Sequence, residues 1–242
     1  EFSFHDNHTV SQVAPGGMFF GDPTFRILQG NPLLSPAWNA FLGLAAPGDF
    51  QDIIIGRRNV EGGGRQGDIR HSSFRMVLGA KGEIAKDVNY DAFFQTGKVL
   101  FSDSEKNYFS KVRSLRAIDV VTNPATGLPA CASFVNGTDP LCVPYNPWIL
   151  GGVTQAALNY LQVPGLQKGT TEQQVYGGSL SADLGSRGIK LPTAKNGVGV
   201  VLGLERRIEK LSLETDFELQ SFDLSGQGGP LRVRPIRDLQ ER

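Results

Sequence analysis

Only a few residues in this chain have the type and spacing to do chemistry. His5 and His8 flank Asp6, a spacing compatible with a metal ion. His71 is the third histidine, at the start of an alternating run where a wall residue is the ordinary role. No Ser–His–Asp set can be placed in any order. Gly62-Gly63-Gly64 lacks the Lys and the Ser/Thr of a phosphate loop. Glu214 and Asp216 read as solvated loop charges rather than an acid–base pair. The expectation is therefore no enzyme, no resident metal and no cofactor.

The remaining candidates are covalent or apolar. Cys131 and Cys142 share one polar, Pro- and Gly-rich segment. A bridge would close a loop of about 10 residues and contribute roughly 2–3 kcal/mol, given an oxidising compartment. The alternative is two free thiols in a loop. Trp38, Tyr145, Trp148 and Tyr160 lie in the irregular segments and could stack on a sugar or an aromatic chelator. They could equally pack those segments together. Asn136-Gly137-Thr138 reads as a turn.

Strands must position these residues. Phe74, Met76, Leu78, Ala80, Gly82 and Ile84 alternate with Ser73, Arg75, Val77, Gly79, Lys81 and Glu83. Alternate side chains of a strand point to opposite faces, so one face is apolar and the other largely polar. The pattern returns at Tyr176, Gly178, Leu180, Ala182 and Leu184, and again at Val198, Val200, Leu202 and Leu204. About 9–11 residues suffice to cross a membrane as a tilted strand. Long, half-apolar, repeated strands are the pattern of an outer-membrane β-barrel.

Composition fits that class. The 242 residues carry zero formal net charge, which gives no electrostatic reason to expect nucleic acid. No apolar run approaches the ~18 residues of a transmembrane helix. Both ends read as cuts inside a longer chain.

The fold class expected is all-β, a partial transmembrane antiparallel β-barrel with long extracellular loops containing short helices. Residues 1–242 are read as a fragment of one barrel domain. An outer loop spans 1–67, a strand hairpin 69–101, a second outer loop 102–171 and a second hairpin 173–211. The segment 212–242 is an outer loop and the start of a next strand. Short connections at 85–87 and 185–196 would face the periplasm. Ser35 is expected to cap a short helix from Pro36, and Thr154 to cap another ending near Leu161. Ile53 to Val60 is expected as a short strand. Arg206 falls in phase with Leu202 and Leu204, facing lipid near the outer end, where an Arg costs about 0–1 kcal/mol. Arg75, Glu205 and Arg207 fall on the opposite, lumen-facing phase.

Several stretches carry a family resemblance. They are Arg57-Arg58-Asn59-Val60-Glu61-Gly62-Gly63-Gly64-Arg65 with Arg70-His71-Ser72-Ser73-Phe74-Arg75, then Gly152-Val153-Thr154-Gln155-Ala156-Ala157. Gly178 to Gly185, Val200 to Arg207 and Asp223 to Pro230 follow in the same order. Together they resemble the barrel region of TonB-dependent outer-membrane receptors and cover most of the chain. The resemblance implies uptake of a scarce nutrient, an iron–siderophore or an oligosaccharide, across the outer membrane of a Gram-negative cell. It also implies a plug domain and a TonB box outside this chain, through which the TonB complex would act, with outer-membrane lipid as surroundings. The chain departs from many relatives in two places. Gly30 and Gly43 stand where a cysteine pair flanks the Asn31-Pro32-Leu33-Leu34 stretch, and Arg206 stands where Tyr is usual. The alternatives are a soluble or surface β-rich carbohydrate-binding or adhesion module, and a surface hydrolase on a β-scaffold.

Overall fold

The computed structural model describes residues 1–18, 24–226, 229–230 and 235–241. Gly21-Asp22-Pro23, Gln227-Gly228 and the stretch from Leu231 to Arg234 lie outside the described residues. The chain is predominantly β. Six strands build one antiparallel sheet: β1 (Phe2–Pro15), β2 (Gly64–Ala85), β3 (Val88–Ser110), β4 (Gln162–Asp183), β5 (Gly199–Thr215) and β6 (Ile236–Glu241). Each pairs with the next in chain order, and Leu224–Gly226 adds to the end of β3.

Two expectations need correction. The 1–67 segment is not all loop, because residues 2–15 form β1, paired with β2 from Phe2↔Met76 to Pro15↔Gly64. The second loop, expected over 102–171, narrows to the stretch between Ser110 and Gln162. In both places the strand runs on past the point where hydrophobic alternation ends. Backbone pairing needs only N–H and C=O groups, so Ser102–Lys106 and Gln167–Thr171 stay in the ladder although both faces have become polar. The sheet is also open rather than closed. β1 and β6 are its two edges and do not pair with each other.

The meander puts the connections at two ends. One end carries the β2–β3 turn at Lys86-Asp87, where Asp87 adopts a left-handed φ of 64°, and the β4–β5 connection. The other carries all three long connections. These hold α1 (Pro36–Phe41), α2 (Lys111–Ile118), α3 (Ala132–Val135), α4 (Gln155–Leu161) and α5 (Phe217–Gln220). The expected strand near Ile53 is split. Phe50–Ile53 pairs with Phe25–Leu28, and Arg57–Arg58 pairs with Gly17–Met18. Among the described residues no helix is long and apolar enough to cross a membrane, which says nothing of a crossing by strands.

The main core sits in this cap and the adjoining end of β3, not along the middle of the sheet. Met18, Phe25, Ile27, Phe109, Ile118, Tyr145, Leu158 and Leu161 are buried together there. Along the sheet, by contrast, large apolar side chains stay open: Leu202 is 69% and Leu204 82% exposed. A sheet with uncovered apolar side chains over much of its length is the feature a function must explain.

Candidate functional site

Register sorts the strand residues into two faces. On one face, Phe4↔Phe74, Phe2↔Met76, Leu78↔Phe94↔Tyr176, Ala80↔Ala92↔Gly178↔Leu204 and Tyr90↔Leu180↔Leu202 form continuous apolar rows. The Phe94 and Tyr176 rings lie 5.0 Å apart within this belt. The border of the belt runs obliquely. Apolar cover on β2 reaches up to Phe74, opposite Lys98, but the unbroken apolar run on β3 starts only at Phe94. Phe94 is level with Tyr176 and Arg206, and on β5 the run starts below them, at Leu204. From Phe74 to Gly82 at about 3.4 Å per residue, the apolar stretch of β2 is ~27 Å long.

Beyond the belt, toward the cap, the same face turns polar. Lys98 pairs with Glu172 at 2.7 Å, and Lys168 with Glu214 at 3.0 Å. Asp68 accepts from His8 at 2.7 Å and from Lys106 at 3.5 Å. A shallow cavity of about 550 Å³ lies there, lined by Asp68, Arg70, Ser102, Leu166, Lys168 and Glu214. His8 shares this face with Asp6, whereas His5 falls on the opposite one, so the strand geometry separates the two histidines that looked like metal ligands. Among the described residues no group of His, Cys, Asp and Glu could hold a metal ion.

The opposite face carries a polar row across its middle, with Val77, Phe93 and Val175 beside it. Arg75 donates to Gln95 at 2.7 Å, Gln95 to Gln173 at 3.0 Å, and Gln173 to Glu209 at 2.9 Å, a hydrogen-bonded row across β2, β3, β4 and β5. Arg207 continues it, 3.4 Å from Glu205 and 3.8 Å from Glu209. The three charges expected on one phase, Arg75, Glu205 and Arg207, thus share one face. Arg206 lies on the other, with the belt.

No known protein family, curated protein or solved structure matches this chain. What the cap contributes must therefore be read from its own geometry.

There the aromatic candidates part company. Tyr145 is fully buried, with its hydroxyl 3.2 Å from the Arg57 guanidinium and 3.4 Å from the Asn59 side-chain oxygen. Burial pushes the Tyr145 phenol above its ordinary pKa. Tyr160 is buried and donates to Asp139 at 2.7 Å, and burial together with that bond pushes its phenol up as well. Trp148 is buried against Trp38, with rings 5.3 Å apart, and the Trp38 indole N–H donates to the Trp148 carbonyl at 3.1 Å. These four build the core of the cap, which leaves Tyr145, Trp148 and Tyr160 no open ring face for a ligand. Only Trp38 stays half-buried, edge-on to the exposed Phe41 ring at 5.7 Å. Phe41, Ile149 and Leu150 are open in the cap, as are Ile54, Val60, Leu128, Leu141 and Phe217, and sequence reasoning singled out none of them as a contact surface. An exposed Leu in a loop carries no signal until its neighbours are known.

The cap is tied together by covalent and polar links. Cys131 and Cys142 are bridged, S–S 2.14 Å, and both are buried. Asp139, between them in sequence, accepts from Arg116 of α2 at 2.8 Å and from Tyr160 of α4. Burial alone would raise the Asp139 pKa, but the bonds from Tyr160 and Arg116, with the Leu141 N–H and the Arg116 charge, together outweigh it and hold the carboxyl below its usual range. Arg57 pairs with Glu61 and braces Asn59, so the Arg57 to Gly64 stretch acts as the strut between cap and sheet.

Proposed function

We propose that this chain is part of an outer-membrane β-barrel receptor that takes up a scarce nutrient through a TonB-coupled transport step. The observation that carries the membrane part is the oblique apolar belt. A belt of constant height crosses register rows obliquely when strands tilt by about 35–45° in a bilayer. Its opposite face holds the polar row from Arg75 to Glu209, suited to a water-filled interior. All long connections gather at one end, as extracellular loops do. The receptor part rests on the motif resemblance, from Arg57-Arg58-Asn59 through Val200 to Arg207.

In this function no covalent chemistry is done. The disulfide-closed cap would be the surface that cargo meets first. A soluble carbohydrate-binding or adhesion module has one point in its favour, the cap's own buried core, but it leaves the belt uncovered.

The test is depth-resolved labelling. Single cysteines placed at Leu180 and Leu202, and at Ser179 and Gly203, are probed in phosphatidylcholine bilayers with a lipid-borne quencher on a thiol fluorophore. Quenching at the first pair and none at the second supports the barrel. Equal quenching, or none anywhere, overturns it. Uptake in cells that stops on deleting TonB then tests the transport step.

A further inference from the structure

The two connections at the end opposite the cap differ in length. The β2–β3 turn takes only Lys86 and Asp87, whereas the β4–β5 connection runs from Leu184 to Val198. The longer one is not slack. The Leu184 N–H donates to the Val198 carbonyl at 2.9 Å, the Ile189 N–H to the Leu184 carbonyl at 3.1 Å and the Val198 N–H to the Ile189 carbonyl at 3.1 Å. At its neck the bare backbones of Gly185 and Gly197 touch: a Cβ added to Gly197 would fall 2.1 Å from the Gly185 Cα. The connection is thus a folded tongue. It carries Arg187, Lys190 and Lys195, all exposed, and no Asp or Glu. Among the described residues none of these three cations forms an ion pair. Two carboxylates adjoin the tongue: Asp183, which accepts from the Gly185 N–H at 2.8 Å, and Asp87, next to Lys86 in its own turn. Ile189 and Leu191 stand among the cations, 50% and 62% exposed.

A connection longer than its strands require, ordered and exposed, is where a fold places binding residues. The charge on this one calls for an acidic partner. Nucleic acid fits poorly, because no residue between 184 and 198 has an aromatic ring to stack on a base. A bare polyanion would leave Ile189 and Leu191 in water. An anionic lipid would need its cations bordering the apolar belt, whereas these lie beyond Asp183 and Gly199, where both strands have ended. A polypeptide that interleaves acidic and aliphatic side chains meets both features at once. We propose that the 184–198 tongue is the docking element for an acidic segment of a partner protein, whose carboxylates meet Arg187, Lys190 and Lys195 and whose aliphatic side chains meet Ile189 and Leu191. The inference does not rest on the membrane-spanning reading. Under that reading the tongue faces the periplasm and the partner is a periplasmic protein.

The full chain in a neutral detergent is panned against displayed random dodecapeptides, alongside its R187Q/K190Q/K195Q variant. The native chain is expected to enrich peptides rich in both carboxylates and aliphatic residues, and the variant to lose that enrichment. The peptide enriched most is then dye-labelled and titrated by fluorescence anisotropy. The triple variant is expected to bind it at least tenfold more weakly and I189S/L191S at least threefold. K168Q, which removes an exposed cation paired with Glu214 near the cap, is expected to bind as the native chain does. No acidic enrichment on the native chain, or the same enrichment on the triple variant, overturns the proposal. An equal loss in K168Q overturns it as well, because net charge alone then explains binding. So does I189S/L191S binding at native strength, since the aliphatic pair then plays no part. Dihexanoyl phosphatidylglycerol that displaces the peptide at the peptide's own concentration overturns it in favour of a lipid headgroup.

Discussion

The Phe93 ring lies across the bare backbone of Gly177. A Cβ added to Gly177 would come within 2.3 Å of that ring, and the two residues stand opposite each other on β3 and β4. On the other side Gly79 of β2 leaves Phe93 a second open neighbour, 3.5 Å from the position of its own missing Cβ. The ring thus covers Gly177, while only the Phe93 Cβ stands beside Gly79.

Gly177→Ala forces the ring to swing off its neighbours. The expected cost is about 1–2 kcal/mol of sheet stability, the lower range for overpacking because the ring is partly exposed and has room to move. Gly178→Ala, whose nearest neighbour would be the Asp91 carbonyl at 3.8 Å, is expected to be neutral. On a Phe93→Ala background the Gly177→Ala cost is expected to vanish. A double-mutant cycle in urea-unfolding free energy checks this, and an unchanged cost without Phe93 would put the strain elsewhere.

The Cys131–Cys142 bridge is expected to stabilise the cap alone. Removing it as Cys131→Ala/Cys142→Ala is expected to cost about 2–4 kcal/mol, counted against the cap's own unfolding. Both tryptophans of the chain, Trp38 and Trp148, lie in the cap, so intrinsic fluorescence reports on it without labels. The expected result is an earlier fluorescence transition with the sheet's far-UV signal unmoved.

Legibility followed locality. The Ser35 cap reads directly from Ser-Pro ahead of an apolar run, and its hydroxyl takes the Trp38 N–H at 3.2 Å. Thr154 does the same for Ala157 at 3.1 Å. Period-2 alternation marked the middle of β2, β4 and β5 and placed Arg206 on the apolar phase. β1 escaped because Asp6 and His8 interrupt its apolar phase, and its partner, β2, lies far along the chain. α2 escaped because its inward stripe includes Ser114 beside Ala117 and Ile118, and that serine is satisfied by the Ser110 carbonyl at 2.7 Å. The burial of Tyr145 depends on Arg57 and Asn59, which no local pattern connects to it.

Asp139 makes the cap acid-sensitive. Its folded pKa lies below the unfolded value of about 3.9. The stabilisation is therefore present above that value and is lost as pH falls through the depressed folded pKa. Trp fluorescence is expected to show cap stability flat from neutral pH down to about 4, then falling. Asp139→Asn keeps a hydrogen-bond acceptor but no charge. It is expected to cost about 1–2 kcal/mol at neutral pH and to flatten the acid limb. An acid limb that survives Asp139→Asn would assign it to another carboxylate.

The row Arg75–Gln95–Gln173–Glu209 is a unit, so its parts should not add. Gln173 is the middle link: its amide N–H₂ donates to Glu209 and its oxygen accepts from Gln95. Gln173→Leu leaves Gln95 without its acceptor and Glu209 without this donor, while Arg207 at 3.8 Å remains beside Glu209. The expected cost is about 1 kcal/mol, because both stranded groups can be rehydrated on an open face. Gln95→Leu is expected to cost a similar amount. The double variant should cost clearly less than twice that, since the first replacement already removes the bond they share. Additive costs would mean that the two amides act independently, and that water rather than the row satisfies them.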